Sequence, residues 1–146
     1  MKRYLLDTNL LIALLWPSHT QHDIAVKWFA KHRAKGWATC SLTEAGFVRI
    51  VSNPAFSRDA VTPREAASLL AVNTTADDHE FWRDELPYAD ASAFASARLV
   101  GHQQVMDAYL LGLAIHRNGM LATLDQRIAA LMDSKSAERK ALEIVI

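Results

Sequence analysis

Short continuous apolar runs alternate along this chain with stretches in which apolar residues recur every third or fourth position. Runs of the first kind predict buried strands, and stretches of the second kind predict amphipathic helices. Tyr4-Leu5-Leu6 is such a run and stops at Asp7-Thr8-Asn9, residues that favour turns and helix caps. Leu10, Leu11, Leu14 and Leu15 then keep helical spacing until Trp16-Pro17, where proline has no amide hydrogen to donate. From Thr20 to Lys35 the pattern repeats, with Ile24, Ala25, Trp28 and Phe29 on one face, lysines on the other and Gly36 as the C-terminal cap. Trp37-Ala38-Thr39-Cys40 is a second strand-like run. Ser41-Leu42-Thr43-Glu44 after it matches a capping box, opening a helix that carries Phe47, Val48, Ile50 and Val51 and stops before Asn53-Pro54.

The second half continues the alternation. Thr62-Pro63-Arg64-Glu65 predicts a helix start, with a cap residue followed by proline at the first helical position, and that helix runs to about Val72. His79 to Arg83 reads as a short edge strand and Ala91 to Leu99 as a short alanine-rich helix. A stronger helix, Gln103 to His116, ends at Asn118-Gly119, and Met120 to Leu124 is a buried strand delivering Asp125. A brief helix through Ile128 to Met132 and a terminal strand Leu142 to Ile146 complete the chain. Strands alternating with helices predict the α/β class: a three-layer α/β/α sandwich around a mainly parallel, about five-stranded sheet with right-handed crossovers. The expected organisation is one domain over residues 1–146, with no repeat, linker or low-complexity tract.

Composition narrows the function classes without naming one. Apolar residues are 51% and charged residues 22%, which argues against disorder or a collagen-like chain. A formal net charge of zero weakens any account based on a large positive field. A basic cluster (Lys27, Lys31, His32, Arg33, Lys35) and an acidic one (Asp77, Asp78, Glu80, Asp84, Glu85) read first as solvated faces, and the basic helix second as a phosphate track. The single Cys40 excludes an internal disulfide and a cysteine-built zinc site, and fits a reducing cytoplasm. Lys2-Arg3 before a leucine-rich run imitates a secretory leader, but Asp7 and Asn9 interrupt the run and no small-residue cleavage pattern follows. No apolar stretch reaches the roughly 20 residues that span a bilayer, so no membrane partner is expected.

The candidate chemistry lies in four acids, Asp7, Glu44, Asp107 and Asp125, each at a strand-to-helix junction or in a helix's first turns. In a parallel sheet the carboxyl ends of strands and the amino ends of helices share one rim, so these residues are expected to converge there. Four ionised carboxylates about 5 Å apart would repel by roughly 3 kcal/mol per pair at an effective dielectric of about 20. Protons or cations must neutralise them. Hard oxygen ligands without a cysteine or histidine set favour Mg²⁺ or Mn²⁺, and Mg²⁺ commonly shares its shell with water and substrate phosphate. The expected substrate is therefore a phosphate ester or phosphodiester, attacked by water activated on one or two ions. Each acid also has a structural explanation: Glu44 as the reciprocal partner of Ser41, Asp7 and Asp125 as helix caps, Asp107 as an exposed helix residue.

Taken in order, Leu5-Leu6-Asp7-Thr8-Asn9, Ser41-Leu42-Thr43-Glu44 continuing through Arg49 to Asn53-Pro54, Gly101-His102 leading to Asp107-Ala108-Tyr109-Leu110-Leu111, and Ala122-Thr123-Leu124-Asp125 resemble the motifs of PIN-domain ribonucleases, in particular VapC-type toxins. The resemblance covers nearly the whole chain. It implies a parallel α/β/α domain that cleaves RNA with Mg²⁺ or Mn²⁺, leaves 5′-phosphate and 3′-hydroxyl ends, commonly forms a homodimer and is neutralised by a small VapB-type antitoxin. Carried over, the metal-binding and catalytic acids are Asp7, Glu44, Asp107 and Asp125, with Asn9, Ser41 and Thr123 as hydrogen-bonding neighbours. Gly112 stands where the family more often has alanine, and Ile128 where an aromatic is frequent.

Other features weigh less. His19 and His22 lack a third ligand and fall in a polar turn, and His102 either approaches RNA or stabilises its turn. Trp28, Trp37 and Trp82 read as core or interface anchors before base-stacking platforms. Two alternatives from other classes remain at this point. One is a phosphoacceptor receiver domain, disfavoured because Asp7 has no adjacent acid and the later strands lack the receiver lysine. The other is a non-catalytic module that binds RNA or protein.

Overall fold

The computed structural model describes residues 2–146. Five strands, β1 (Tyr4–Leu6), β2 (Trp37–Cys40), β3 (His79–Trp82), β4 (Met120–Thr123) and β5 (Leu142–Ile144), form one sheet in the order β3-β2-β1-β4-β5. Every pairing is parallel, with Tyr4 opposite both Trp37 and Met120 and Thr123 opposite Ile144. The expected edge position of the His79 strand is the one observed. The helices are α1 (Thr8–Leu15), α2 (His22–His32), α3 (Ser41–Val51), α4 (Pro63–Thr74), α5 (Tyr88–Ser92) and α6 (Val105–His116).

Alternation along the strands divides the core into two layers. Leu5 and Leu121 face a cluster with Ala91, Ala95 and the apolar side of α6, whereas Tyr4, Leu6 and Ala122 face Leu10, Leu11, Trp28 and Phe47. The sheet is therefore covered on both faces, as the alternating pattern requires. Trp28, Trp37 and Trp82 are buried, and each indole N–H donates to a carboxylate: Glu143 at 3.1 Å, Asp78 at 2.9 Å and Glu80 at 2.8 Å. They are core anchors with satisfied polar tips. The basic and acidic clusters meet in part, since Arg33 Nε lies 2.7 Å from Asp78 Oδ2.

Local signals set most boundaries. Thr62 caps α4 through the Glu65 amide at 3.1 Å, as its sequence predicted, and Glu65 returns the bond. Asn118 takes a positive φ of 53° just beyond α6. Three differences carry a physical reason. The alanine-rich segment is helical earlier than expected, as α5, and continues as a 3-10 turn over Ala93–Arg98. The segment after Asp125 is also 3-10, over Gln126–Leu131, where Asp125 caps it by accepting the Arg127 amide. The third is the start of α3: its capping box is built by Cys40 and Thr43, not by Ser41 and Glu44. The buried Thr43 hydroxyl accepts from the Cys40 amide at 3.0 Å, so Ser41 is already helical.

The chain lays β1, β2 and β3 outward in one direction and then returns to place β4 on the other side of β1. The topological switch point lies between the carboxyl ends of β1 and β4, where open α/β sheets form their binding crevices.

Gly112 accounts for the close approach of α6 to α5. A Cβ there would stand 1.8 Å from the Ala91 carbonyl oxygen, a backbone atom that cannot swing aside. Gly112→Ala, although it restores the residue common at that place in the resembled family, is expected to lower unfolding free energy by about 1–3 kcal/mol, the usual scale of core overpacking. Urea denaturation measures this; an unchanged midpoint would mean that α5 is free to shift.

Candidate metal centre

Asp7 follows β1, Asp125 follows β4, and Asp107 lies in the first turn of α6. All three line one cavity of about 350 Å³ at the switch point. Asp7 is buried, only 7% exposed. Its Oδ1 accepts the Thr8 amide at 2.8 Å, which caps α1, and its Oδ2 accepts the Thr123 hydroxyl at 2.7 Å. The cap role and the site role of Asp7 thus coexist, one on each oxygen. Thr123 also accepts the Asp125 amide at 3.0 Å, and Asn9 Oδ1 accepts the Leu124 amide at 3.3 Å. Asn9 and Thr123 therefore tie the end of β4 to the start of α1.

The electrostatics follow from burial and crowding. Burial raises the Asp7 carboxyl above its ordinary range, against the Thr123 and Thr8 hydrogen bonds and with the Asp125 charge adding to the rise. Asp107 is pushed up to about 7, first by burial, then by the charges of Asp7 and Asp125. Asp125 moves the opposite way because Arg127 grips it, Nε to Oδ1 at 3.0 Å and a terminal nitrogen to Oδ2 at 3.0 Å. One deeply buried carboxyl, one crowded by its neighbours' charges and one clamped by arginine share a single crevice.

Glu44 stands elsewhere. It accepts the Thr39 hydroxyl at 2.6 Å, Thr39 meets His79 Nε2 at 2.8 Å, and both Glu44 and Ser41 line a separate groove of about 650 Å³ between α3 and α4. The face of α3 turned to the aspartates carries Leu42, Gly46, Arg49 and Ile50. Glu44, two residues after Leu42, lies about 200° around the helix from it. The structure brings together Asp7, Asp107 and Asp125 with Asn9 and Thr123, and leaves Glu44 and Ser41 outside. Arg127 and Arg49 were not singled out as site residues from the sequence. An arginine two residues after a capping aspartate was the available signal for the first, and helical spacing from Gly46 for the second.

Whether this set suits a divalent cation is decided by its charge and openness. Among the described residues no group of three or more His, Cys, Asp or Glu side chains is gathered closely enough to hold a metal ion as it stands. Arg127 spans both Asp125 oxygens, and Glu44 lines the neighbouring groove. Three carboxyls with two proton affinities raised by burial and mutual charge are nonetheless a site in want of positive charge. Mg²⁺ suits such an arrangement because it takes few carboxylates and keeps several waters.

The family model for the PIN domain matches residues 4–133. The chain belongs to the PIN-domain family. Among curated relatives this PIN domain is 44% identical over 133 residues to Ribonuclease VapC39 of Mycobacterium tuberculosis, covering 91% of the chain and 94% of the relative. It is also 40% identical to Ribonuclease VapC44 of the same organism, covering 87% and 89%. Among solved structures it matches PAE2754 from Pyrobaculum aerophilum, with a TM-score of 0.60 at 21% identity over 98% of this chain and 84% of that one. A second match, VapBC2 from Rickettsia felis bound to a DNA fragment from their promoter, has a TM-score of 0.56 at 17% identity, covering 98% of each chain. At such identities these two show the shared fold alone.

The raised Asp107 carboxyl makes a signed prediction for the protein in EDTA. The folded state holds a proton that the unfolded chain, with its ordinary carboxyl at 3.8, releases, so stability is lost as pH rises from about 4 through about 7. Asp107→Asn removes that loss. Its melting temperature should exceed the wild type's by a gap that is small near pH 4, widens toward neutrality and levels off above it; a gap independent of pH would contradict the assignment.

Proposed function

We propose that this PIN-domain chain is a metal-dependent endoribonuclease that hydrolyses RNA phosphodiester bonds at the Asp7, Asp107 and Asp125 crevice. The observation that carries the reading is the convergence of these three carboxyls at the β1/β4 switch point. The ribonuclease names of relatives that align over about nine-tenths of the chain support it. The receiver alternative has nothing comparable in its favour.

Asp7, Asp107 and Asp125 would hold Mg²⁺ or Mn²⁺, one or two ions. Such an ion, when bound, lowers the pKa of a coordinated water and neutralises charge on the phosphate. Thr123 keeps the Asp7 carboxylate turned into the crevice by donating to Oδ2. Asn9 holds the backbone at Leu124, and through it the direction in which Asp125 leaves β4. Asp107, whose carboxyl is pushed up to about 7, would have to be deprotonated to hold such an ion. Arg127 spans both Asp125 oxygens, so that carboxylate would share itself between the guanidinium and an ion. Glu44 acts from outside by fixing Thr39 and His79 against the start of α3.

The same reading extends to biology. Residues 1–146 act as one nuclease domain, commonly paired as a homodimer in this family, serving as the toxin that a VapB-type antitoxin neutralises. Among the described residues no helix is long and apolar enough to cross a membrane.

Digestion of total cellular RNA with Mn²⁺, followed by sequencing of the new ends, tests this directly. Cleavage should leave 5′-phosphates and stop in EDTA. Asp7→Asn and Asp107→Asn should each reduce the rate by about a thousandfold or more, the scale expected when a transition-state charge loses its stabilisation. Glu44→Gln should stay within about tenfold of wild type because glutamine still accepts from Thr39. Full activity in both aspartate variants would sink the nuclease assignment, and a Glu44→Gln loss as large as theirs would return Glu44 to the catalytic set.

A further inference from the structure

The crevice has a wall the aspartates do not explain. Arg49 lines the cavity that holds Asp7, Asp107 and Asp125, and it also lines the larger groove between α3 and α4, so it stands on the divide between them. Among the described residues its guanidinium has no carboxylate within salt-bridge distance and no side-chain hydrogen bond, although three aspartates share its cavity. The other arginine beside the site is committed, since Arg127 is bound to Asp125. Gly46, one turn before Arg49, is what lets this face of α3 close on the site. A Cβ there would meet the Thr8 hydroxyl oxygen at 2.9 Å, so any side chain would push α3 away from the start of α1.

Charge explains why such a wall is needed. A nucleic acid strand entering a crevice of three carboxyls meets repulsion at every phosphate, and a cation at the aspartates offsets only the phosphate that reacts. The neighbouring phosphates need a fixed positive group on the strand's path. An arginine fork offers two parallel N–H donors to phosphate oxygens and stays charged throughout the working pH range. The molecule's net charge of zero makes this local placement decisive, because no overall field draws the strand in.

From the pairing of an uncommitted Arg49 with the three-aspartate cavity and the adjoining groove, we infer that Arg49 is an RNA-binding residue that seats a backbone phosphate flanking the scissile bond. The strand therefore crosses from the aspartate crevice over Arg49 toward the α3/α4 groove. This rests on the ribonuclease reading for the identity of the strand, but the placement of Arg49 is testable without cleavage.

The test uses the full chain carrying Asp107→Asn, which blocks turnover, and compares it with the same chain carrying Arg49→Ala or Arg49→Lys. Fluorescence anisotropy of a labelled single-stranded RNA, repeated across salt concentrations, reads affinity. Arg49→Ala should weaken binding about tenfold or more and make the log Kd against log salt slope shallower by about 0.7, the value for one phosphate contact on a single strand. Arg49→Lys should keep the slope and recover part of the affinity. In chains with Asp107 intact, Arg49→Ala should raise KM more than it lowers kcat. Unchanged affinity and slope in Arg49→Ala, or an Asp107→Asn chain that binds no RNA, would overturn the inference. A drop in affinity without a change of slope would overturn it too, since that is the mark of a structural role. If the wild type cuts no RNA while Arg49→Ala still shows both binding effects, the nuclease reading fails and the Arg49 assignment stands.

Discussion

A carboxylate buried at the point where a parallel sheet reverses its strand order is the constraint on which the rest of this structure depends. Asp7 is buried between β1 and the start of α1, and its two oxygens are divided between a helix amide and the hydroxyl of Thr123 on β4. That single side chain closes α1, ties the two central strands together and faces a crevice with two more aspartates. Buried charge of this kind is costly unless it is paired or neutralised. The raised proton affinities of Asp7 and Asp107 and the arginine folded onto Asp125 are three local answers to the same excess of negative charge.

The fold, and the meeting of Asp7, Asp107 and Asp125 at one crevice, were legible in the sequence because they follow from coarse rules. Strand-like runs ending in Asp7 and Asp125 fix where those carboxyls leave the sheet, and a parallel sheet puts both exits on one rim. Asp107 was legible because it interrupts an apolar helix, and its place in the first turn of α6 survives small errors in the boundary. Glu44 was not, because its direction depends on helical phase. The start of α3 was assigned to Ser41 by pattern, whereas Cys40 is the cap and the Thr43 hydroxyl serves its amide. On a helix each residue turns the face by about 100°, so which side Glu44 occupies is decided by packing against α1 and α4 rather than by motif spacing.

The arginines show a related limit. Arg127 lies two positions beyond Asp125, within an arrangement any capping aspartate adopts, and only coordinates reveal its two-pronged grip. Arg49 faces the crevice because Gly46 permits α3 to approach Thr8, a relation between residues far apart in the chain. Together they explain how a chain of zero net charge presents alternating signs along one path. Carboxyls at the centre would bind a cation, and the Arg49 and Arg127 guanidinium groups beside them would moderate the field that an approaching phosphate meets.

The central claim is that three aspartates, without Glu44, make up the ion-binding set. Calorimetric titration of Mn²⁺ into the wild type and into the Asp7→Asn, Asp107→Asn, Asp125→Asn and Glu44→Gln variants at slightly alkaline pH measures this most directly. The account predicts saturable binding in the wild type and in Glu44→Gln, and its loss in each aspartate variant that still melts cooperatively. Binding that persists in the aspartate variants and disappears with Glu44→Gln would contradict it.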